Sequence, residues 1–420
     1  MSVPDPSSVP EQTDVLVVGG GPAGALLSCM LARRGIDVTL VEKQATIERT
    51  FRGDTITGPS LLMLDKLGFG EAIRRHGTQP VERMVMFMEG RRVMTLEYGR
   101  LRNGTVPVDM PQPALLEIIN RAAAEEPGFR FFTGTALSEL VEENGRVVGA
   151  VLRRGEERIT VRTRLVVGAD GRFSKVRNAA RIAANITPME RDVLWFRLPR
   201  PGGWPPQTEF FVNRDRHVVV MPTFPDALRV ATNLPKKALG EWRKAGLETM
   251  KRNIRELDPR LGPLMDEGLH SWDDTSFLEI FTAQVDEWTR DGLLLIGDAS
   301  HTVTPILGQG INLAMQDCIE VTPLLARALS GSRGVVPAAT FAEFVARRRR
   351  HKDNVVRYQA RNESGLVART PLQTLRRRLR YQILDHIPGR YRFAPAILSD
   401  AYPIDPDDLR SAGNQQKVPA

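Results

Sequence analysis

The stretch Asp14-Val15-Leu16-Val17-Val18-Gly19-Gly20-Gly21-Pro22-Ala23-Gly24 decides the fold. Asp14 to Gly19 is a short apolar run of strand type, and Gly20 to Gly35 reads as a turn followed by a helix rich in Ala, Leu and Met. Val38 to Val41 is a second apolar strand, so the three segments form a βαβ unit. Gly19, Gly21 and Gly24 stand in GxGxxG spacing between strand and helix. Glycine there allows a tight turn and lets the backbone approach a pyrophosphate, which the helix N-terminus meets with its N–H groups. Pro22 and Ala23 lie inside the motif and belong to the same site. Glu42 ends the second strand 18 residues after Gly24, with Lys43 beside it. A carboxylate at that place accepts hydrogen bonds from both ribose hydroxyls. A glycine-rich turn alone is weak evidence; the whole arrangement points to a dinucleotide.

The rest of the composition is that of a globular enzyme. The chain has 420 residues, 42% hydrophobic and 26% charged, enough for two or three domains. Its two cysteines, Cys29 and Cys318, exclude a disulfide framework and a Cys-rich zinc site, and free thiols suit a reducing cytoplasm. The six histidines show no metal-ligand spacing, so no metal is expected. Residues 1–12 are polar and Pro-rich and read as a disordered tail, not a signal peptide. No apolar run is long enough to span a bilayer, so no integral membrane segment is expected. The net charge of +8 is partly local, in Arg347 to Lys352 (RRRRHK) and Arg376 to Arg380 (RRRLR). Such runs usually mark a solvated helix face, and no nucleic-acid-binding module accompanies them.

Two later apolar strands, Arg164 to Gly168 and Gly292 to Gly297, each end in Gly beside an Asp. Between them, from about Ile186 to Thr282, short strand-like segments alternate with Trp and Pro. The domain boundaries follow: a dinucleotide-binding domain over 13–185 and 281–365, an inserted antiparallel-sheet domain over 186–280, and a helical C-terminal segment over 366–420. In that segment Leu372, Leu375, Leu379 and Ile383 fall on one helical face, which predicts that this stripe is buried against the dinucleotide-binding domain or a partner subunit and not in a membrane.

Two further motifs complete the pattern. One is Gly168-Ala169-Asp170-Gly171, continuing to Arg177; the other is Gly297-Asp298-Ala299-Ser300-His301, continuing through Pro305 to Gly308-Gln309-Gly310-Ile311-Asn312. Asp298 follows an apolar strand at its carboxyl edge, where ligands sit in open α/β sheets, and can hold ribityl hydroxyls. Gly308 and Gly310 let a flat ring approach, and the N–H groups around Ile311 and Asn312 at a helix start favour negative charge on it. Together, in this order, the three motifs resemble those of the class A, para-hydroxybenzoate hydroxylase-like flavoprotein aromatic monooxygenases, over about residues 14 to 345. The resemblance implies an α/β Rossmann-like FAD-binding domain with an inserted substrate domain, and FAD as cofactor. NADPH or NADH is implied as a transient co-substrate, since no second GxGxxG is present. It implies hydroxylation of an aromatic or polyketide-like small molecule with O2, through a C4a-hydroperoxyflavin. It places Asp170 near the pyrophosphate and the nicotinamide approach, Arg52 on the FAD phosphates, Gln112 against the flavin side chain, and Pro305 beside the ring where oxygen reacts.

For the substrate pocket the middle domain offers Trp195, Phe210, Phe211, His217, Met221 and Phe224. His217 is the titratable group in the central strand run and is the candidate for deprotonating a phenol. Two other functions stay open on sequence alone: a related flavin reductase acting on a double bond, and a non-catalytic FAD-binding protein. A flavin halogenase is disfavoured because Trp195 and Trp204 are isolated and no Trp-x-Trp-x-Ile-Pro run occurs.

Overall fold

The computed structural model describes residues 8–46, 54–331 and 333–393. Its first sheet is built on the strand Gln12–Val18, where Val15, Leu16 and Val17 have no exposed surface. Parallel neighbours flank it: Val38–Val41 and then Phe129–Phe132 on one side, Glu157–Gly168 and then Leu293–Leu295 on the other. The stretches 15–18 and 165–167 and the strand Leu293–Leu295 are continuously apolar because helices cover both faces of a parallel sheet. Pro22–Arg33 packs on Gln309–Gly331, where Cys318 Sγ donates to Ala23 O at 3.1 Å. The last parallel strand, Leu293–Leu295, is reached only after a long excursion, so this domain is discontinuous in sequence. The tail reading of 1–12 is too long at its end, because Val9 is buried and Gln12 already pairs with Arg162.

The excursion builds a seven-stranded sheet. In spatial order its strands are Thr275–Leu278, Arg191–Pro199, Ala227–Pro235, Arg216–Thr223, Gln207–Asn213, Arg83–Met88 and Arg91–Glu97. The sheet therefore extends beyond 186–280. The hairpin at 83–97 joins it through a parallel pairing of Arg83–Met88 with Gln207–Asn213, a contact between distant segments that leaves no local sequence signal.

Alternation gives this sheet two faces. Leu194, Phe196, Leu198, Val218, Val220, Leu228 and Val230 point to one side and are covered by the short helices between Leu239 and Gly268. Trp195, Val219, Met221, Arg229 and Ala231 share the opposite, inner side, set by the pairings Trp195 with Ala231 and Met221 with Arg229.

Two helices close the chain. On Ala342–Leu366 the residues Phe344, Arg348, Lys352, Val355 and Gln359 are all 2% exposed or less. The basic run RRRRHK is thus not simply a solvated face, because Arg348 and Lys352 are inside and satisfied by carboxylates. The next helix, Pro371–His386, does not turn its apolar stripe onto the FAD domain of its own chain. Leu372, Leu375, Leu379 and Ile383 are 42 to 63% exposed, whereas Arg377 and Tyr381 are buried. Polar partners explain this orientation. Arg377 donates to Glu89 Oε1 at 2.8 Å and to Arg214 O at 2.5 Å, and Asp385 accepts the Thr95 N–H at 2.8 Å on the edge strand. A leucine stripe could not satisfy those edge groups. Tyr381 completes the contact against Met86, Met88, Val93 and Val212. No helix among the described residues is long and apolar enough to cross a membrane.

Candidate active site

The glycine turn is shaped by close approach. A Cβ on Gly24 would lie 1.9 Å from Gly19 O, and one on Gly19 would lie 2.5 Å from Ala169 O, with Gly19 at φ +110. Only glycine fits at either place. Gly21 is the N-cap of the helix that begins at Pro22, and no side chain caps that helix start. Glu42 is buried, and its two carboxylate oxygens accept the N–H groups of Gly20 at 2.9 Å and Gln44 at 3.0 Å. A carboxylate fixed at the end of the second strand is the group that accepts from ribose hydroxyls. Lys43 is exposed beside it. This cradle, shaped by atoms a Cβ would hit and ending in a fixed carboxylate, fits the pyrophosphate and ribose of FAD.

The second and third motifs are tied together behind that turn. Asp170 accepts Ser174 Oγ at 2.5 Å and the N–H groups of Lys175 at 2.6 Å and Val176 at 3.0 Å, so its carboxylate caps a short helix. Burial pushes its pKa up despite those bonds. Arg177 then donates to Ala299 O at 3.0 Å and Arg172 O at 3.2 Å, which links the DG motif to the GD motif. Asp298 lies half-buried in the turn Gly297–Ala299, and Gly297 has φ +59.

From there the chain runs to Pro305, Ile306, Leu307 and Gly308, four half-buried residues between buried neighbours. Leu307 and Gly308 both have positive φ, at +63 and +61. A left-handed Leu is a strained backbone held by its surroundings. Asn312 does much of the holding: its side chain accepts from Thr57 N and Thr57 Oγ1, both at 3.1 Å, and donates to Gly308 O at 2.7 Å and Thr55 O at 3.3 Å. Gly310 and Ile311 lie in the first turn of the 309–331 helix, where N–H groups have no partner inside the helix.

Gln112 is the first residue of the helix Gln112–Ala124 and is buried; its N–H donates to Asp54 Oδ1 at 3.2 Å. Asp54 leads to a cluster that the sequence reading missed. Arg229 on the inner sheet face lies 2.8 Å from Asp54 Oδ2 and 3.4 Å from Asp109 Oδ1, and its guanidinium stands over the Trp195 ring at 4.9 Å. Burial pushes Asp109 up to about 7, an effect that Arg229 only partly offsets. Arg229 stands between Leu228 and Val230 at an inward position of a buried strand, the signal that could have singled it out.

Other candidates separate. Trp195, Met221 and His217 share the inner face with Phe210, which pairs with Val219. Phe211 faces the opposite way and stacks on Phe87 at 4.9 Å, and Phe224 packs over Gly77 and His76. Burial, then Arg191 and Arg377, lower His217 to about 4, so it is neutral at physiological pH and too weak a base to ionise a phenol. His301 is buried and also held neutral, in keeping with a packing role. Arg52 lies outside the described residues. Among the described residues no group of His, Cys, Asp and Glu could hold a metal ion.

Fold and site together define a flavoprotein of the doubly wound class with an inserted sheet domain. A family model described as an FAD binding domain matches residues 12–359, and the chain belongs to this family of FAD-dependent aromatic monooxygenases. Among its relatives, the 6-methylpretetramide 4-monooxygenase of Streptomyces rimosus is 37% identical over 349 residues, covering 83% of this chain and 82% of that protein. A kynurenine 3-monooxygenase of Salinispora tropica is 26% identical over 323 residues, covering 73% of this chain and 71% of the relative. In fold, the crystal structure of p-nitrophenol 4-monooxygenase PnpA from Pseudomonas putida DLL-E4 matches with a TM-score of 0.77 at 17% identity, over 96% of this chain and 100% of that one. The chain is an FAD-dependent monooxygenase with NAD(P)H as co-substrate, and these relatives do not favour the reductase or non-catalytic alternatives.

Proposed function

We propose that the chain hydroxylates an electron-rich carbon of a planar, fused-ring phenolic substrate of polyketide type. The substrate class is carried by the 37% identity to 6-methylpretetramide 4-monooxygenase over 83% of the chain. The inner face of the seven-stranded sheet agrees in character, with Trp195, Val219 and Met221 on the same side as Arg229, which reaches Asp54. FAD, when bound, takes electrons from NAD(P)H and activates O2. The chain supplies position, dryness and fixed charge.

For FAD we assign Gly19, Gly21, Pro22, Ala23, Gly24, Glu42 and Lys43 to the adenosine and pyrophosphate, with Arg52 and Asp170 beside them. Asp298 and Gln112 serve the ribityl chain, and Gly308, Gly310, Ile311 and Asn312 the ring. The first turn of the 309–331 helix faces the negative charge of the reduced ring. Pro305 borders the reacting edge. His217, neutral on the same inner face, serves as a hydrogen-bond partner for a substrate oxygen. Two buried free thiols suit a reducing compartment, and we place the enzyme in the cytoplasm.

The test supplies the holoenzyme with NADPH or NADH, isotopically labelled O2 and a panel of polycyclic and monocyclic phenols. A polycyclic product carrying one labelled oxygen is the expected result. Oxidation of the nicotinamide with no oxygenated product across the polycyclic members, or a product with a double bond reduced, overturns the reading.

A further inference from the structure

One face of the 342–366 helix runs beside the loop that joins the two halves of the flavin site. Phe344, Arg348, Lys352, Val355 and Gln359 recur every three or four residues, and all are buried. Residues from 348 on meet successive parts of the 297–308 segment, directly or through one intermediary. Arg348 Nε and Lys352 Nζ each donate at 2.6 Å to the Asp317 carboxylate, which also accepts the Gly297 N–H at 2.8 Å. Lys352 Nζ stands 3.4 Å from Ser300 Oγ, and Ser300 donates to Gly297 O at 2.9 Å. Val355 packs with Val303 and Leu313. Gln359 Nε2 donates to Thr304 O at 2.9 Å and Ile306 O at 2.7 Å, the carbonyls on either side of Pro305.

The loop needs such support. Leu307 holds positive φ without being glycine, and such a strained backbone persists only where its surroundings over-determine it. Arg348 and Lys352, both fully buried, converge on Asp317, with Arg348 also reaching Glu320 Oε1 at 3.2 Å and Leu313 O at 3.0 Å. Buried ions are a poor device for stability alone, since apolar residues of the same volume serve that end as well or better. What the ions supply is direction: both hold the Asp317 carboxylate, and that carboxylate fixes the Gly297 N–H.

We propose that this helix face is a positioning device for the flavin loop. Arg348 and Lys352, through Asp317, set the Gly297–Asp298 turn, and Gln359 sets the peptide groups around Pro305. The inference rests on the cofactor assignment above. The three are positioning residues, and the RRRRHK run is in part an internal fixture rather than a surface for an anionic partner.

The experiment titrates full-length apoprotein with FAD, reading flavin fluorescence and the visible spectrum, for wild type, Gln359→Leu, Lys352→Met and Arg350→Gln. Arg350 is exposed on the outer face and serves as control. The apoproteins are also melted. Gln359→Leu is expected to weaken FAD about tenfold and to shift the bound flavin's visible band, as loss of hydrogen bonds to the loop requires. Lys352→Met is expected to weaken it further, and Arg350→Gln to match wild type. A lowered apoprotein Tm with wild-type FAD affinity and spectrum in Gln359→Leu overturns the proposal, because a purely structural role moves only the melt. Should Lys352→Met fail to fold, Gln359→Leu decides alone. A wild-type protein that does not take up FAD overturns the cofactor assignment and this proposal with it.

Discussion

Arg229 Nη1 lies 2.8 Å from Asp54 Oδ2, with both side chains buried. The bond crosses from the substrate sheet to the segment that leads into Thr55, Thr57 and the Asn312 network. One guanidinium thus joins the inner sheet face, the start of the Gln112–Ala124 helix and the flavin loop, because Asp54 also accepts the Gln112 N–H. At this point the inner sheet face meets the FAD domain through buried charges.

Arg229→Met is therefore expected to be costly. It leaves Asp54 and Asp109 buried with their main cation gone, and breaking a buried pair from one side costs about 3 kcal/mol or more. Urea unfolding should show that loss, and adding Asp54→Asn and Asp109→Asn should restore part of it. A single Arg229→Met variant with wild-type stability would remove the cluster from the account of domain packing.

The same cluster predicts a pH dependence. Asp109 is raised from 3.8 to about 7 in the folded chain, so the folded state holds a proton there that the unfolded state releases. Its contribution to stability is present at low pH and is lost as pH rises from about 4 to about 7, by up to about 1.4 kcal/mol per pH unit. Asp317, lowered to about 2, acts in the opposite sense and loses its contribution as pH falls below about 4. Asp109→Asn should show a flatter stability profile than wild type between pH 4 and 7, while both lose stability at lower pH. Parallel profiles for the two proteins over that range would refute the raised Asp109 pKa.

Much of the nucleotide site was legible because its constraints are local. Gly24 and Gly19 are imposed by atoms of the same βαβ unit and the strand beside it, and spacing alone exposes them. The inserted domain was legible as a change of character along the chain. Pairings between distant segments were not legible. The hairpin 83–97 joins the second sheet through a parallel contact with 207–213, and Arg229 meets Asp54 and Asp109 across more than a hundred residues. Charge misled for a different reason. Arg348 and Lys352 look like surface residues until one sees that Phe344, Val355 and Gln359 share their helical face, which marks that face as buried.

Glu42 offers a direct test of the ribose site. Its carboxylate already orders Gly20 and Gln44 and stands at the end of the second strand, where an acceptor for ribose hydroxyls belongs. Glu42→Gln keeps the volume but replaces one acceptor with a donor, so it should weaken FAD at least about tenfold. Equilibrium titration of the apoprotein measures this directly. Wild-type affinity in the variant would take Glu42 out of the cofactor site.

The C-terminal helix yields the prediction most at odds with its sequence pattern. A hydrophobic stripe at helical spacing ordinarily marks the packed side, yet Leu379 is 46% exposed while Arg377 on the opposite side is 6% exposed. Arg377 is anchored on Glu89 and on the Arg214 carbonyl, and Tyr381 fills a gap among Met86, Met88 and Val212. Leu379→Gln should therefore change unfolding free energy by no more than about 0.5 kcal/mol. Tyr381→Ala removes a buried ring and should cost about 3 kcal/mol. Arg377→Met leaves Glu89 without its cation and should cost about 2 kcal/mol. Urea unfolding of the three variants ranks them. If Leu379→Gln proved the most damaging, the stripe would be buried in solution and this helix would dock by its leucines, as the sequence pattern alone suggests.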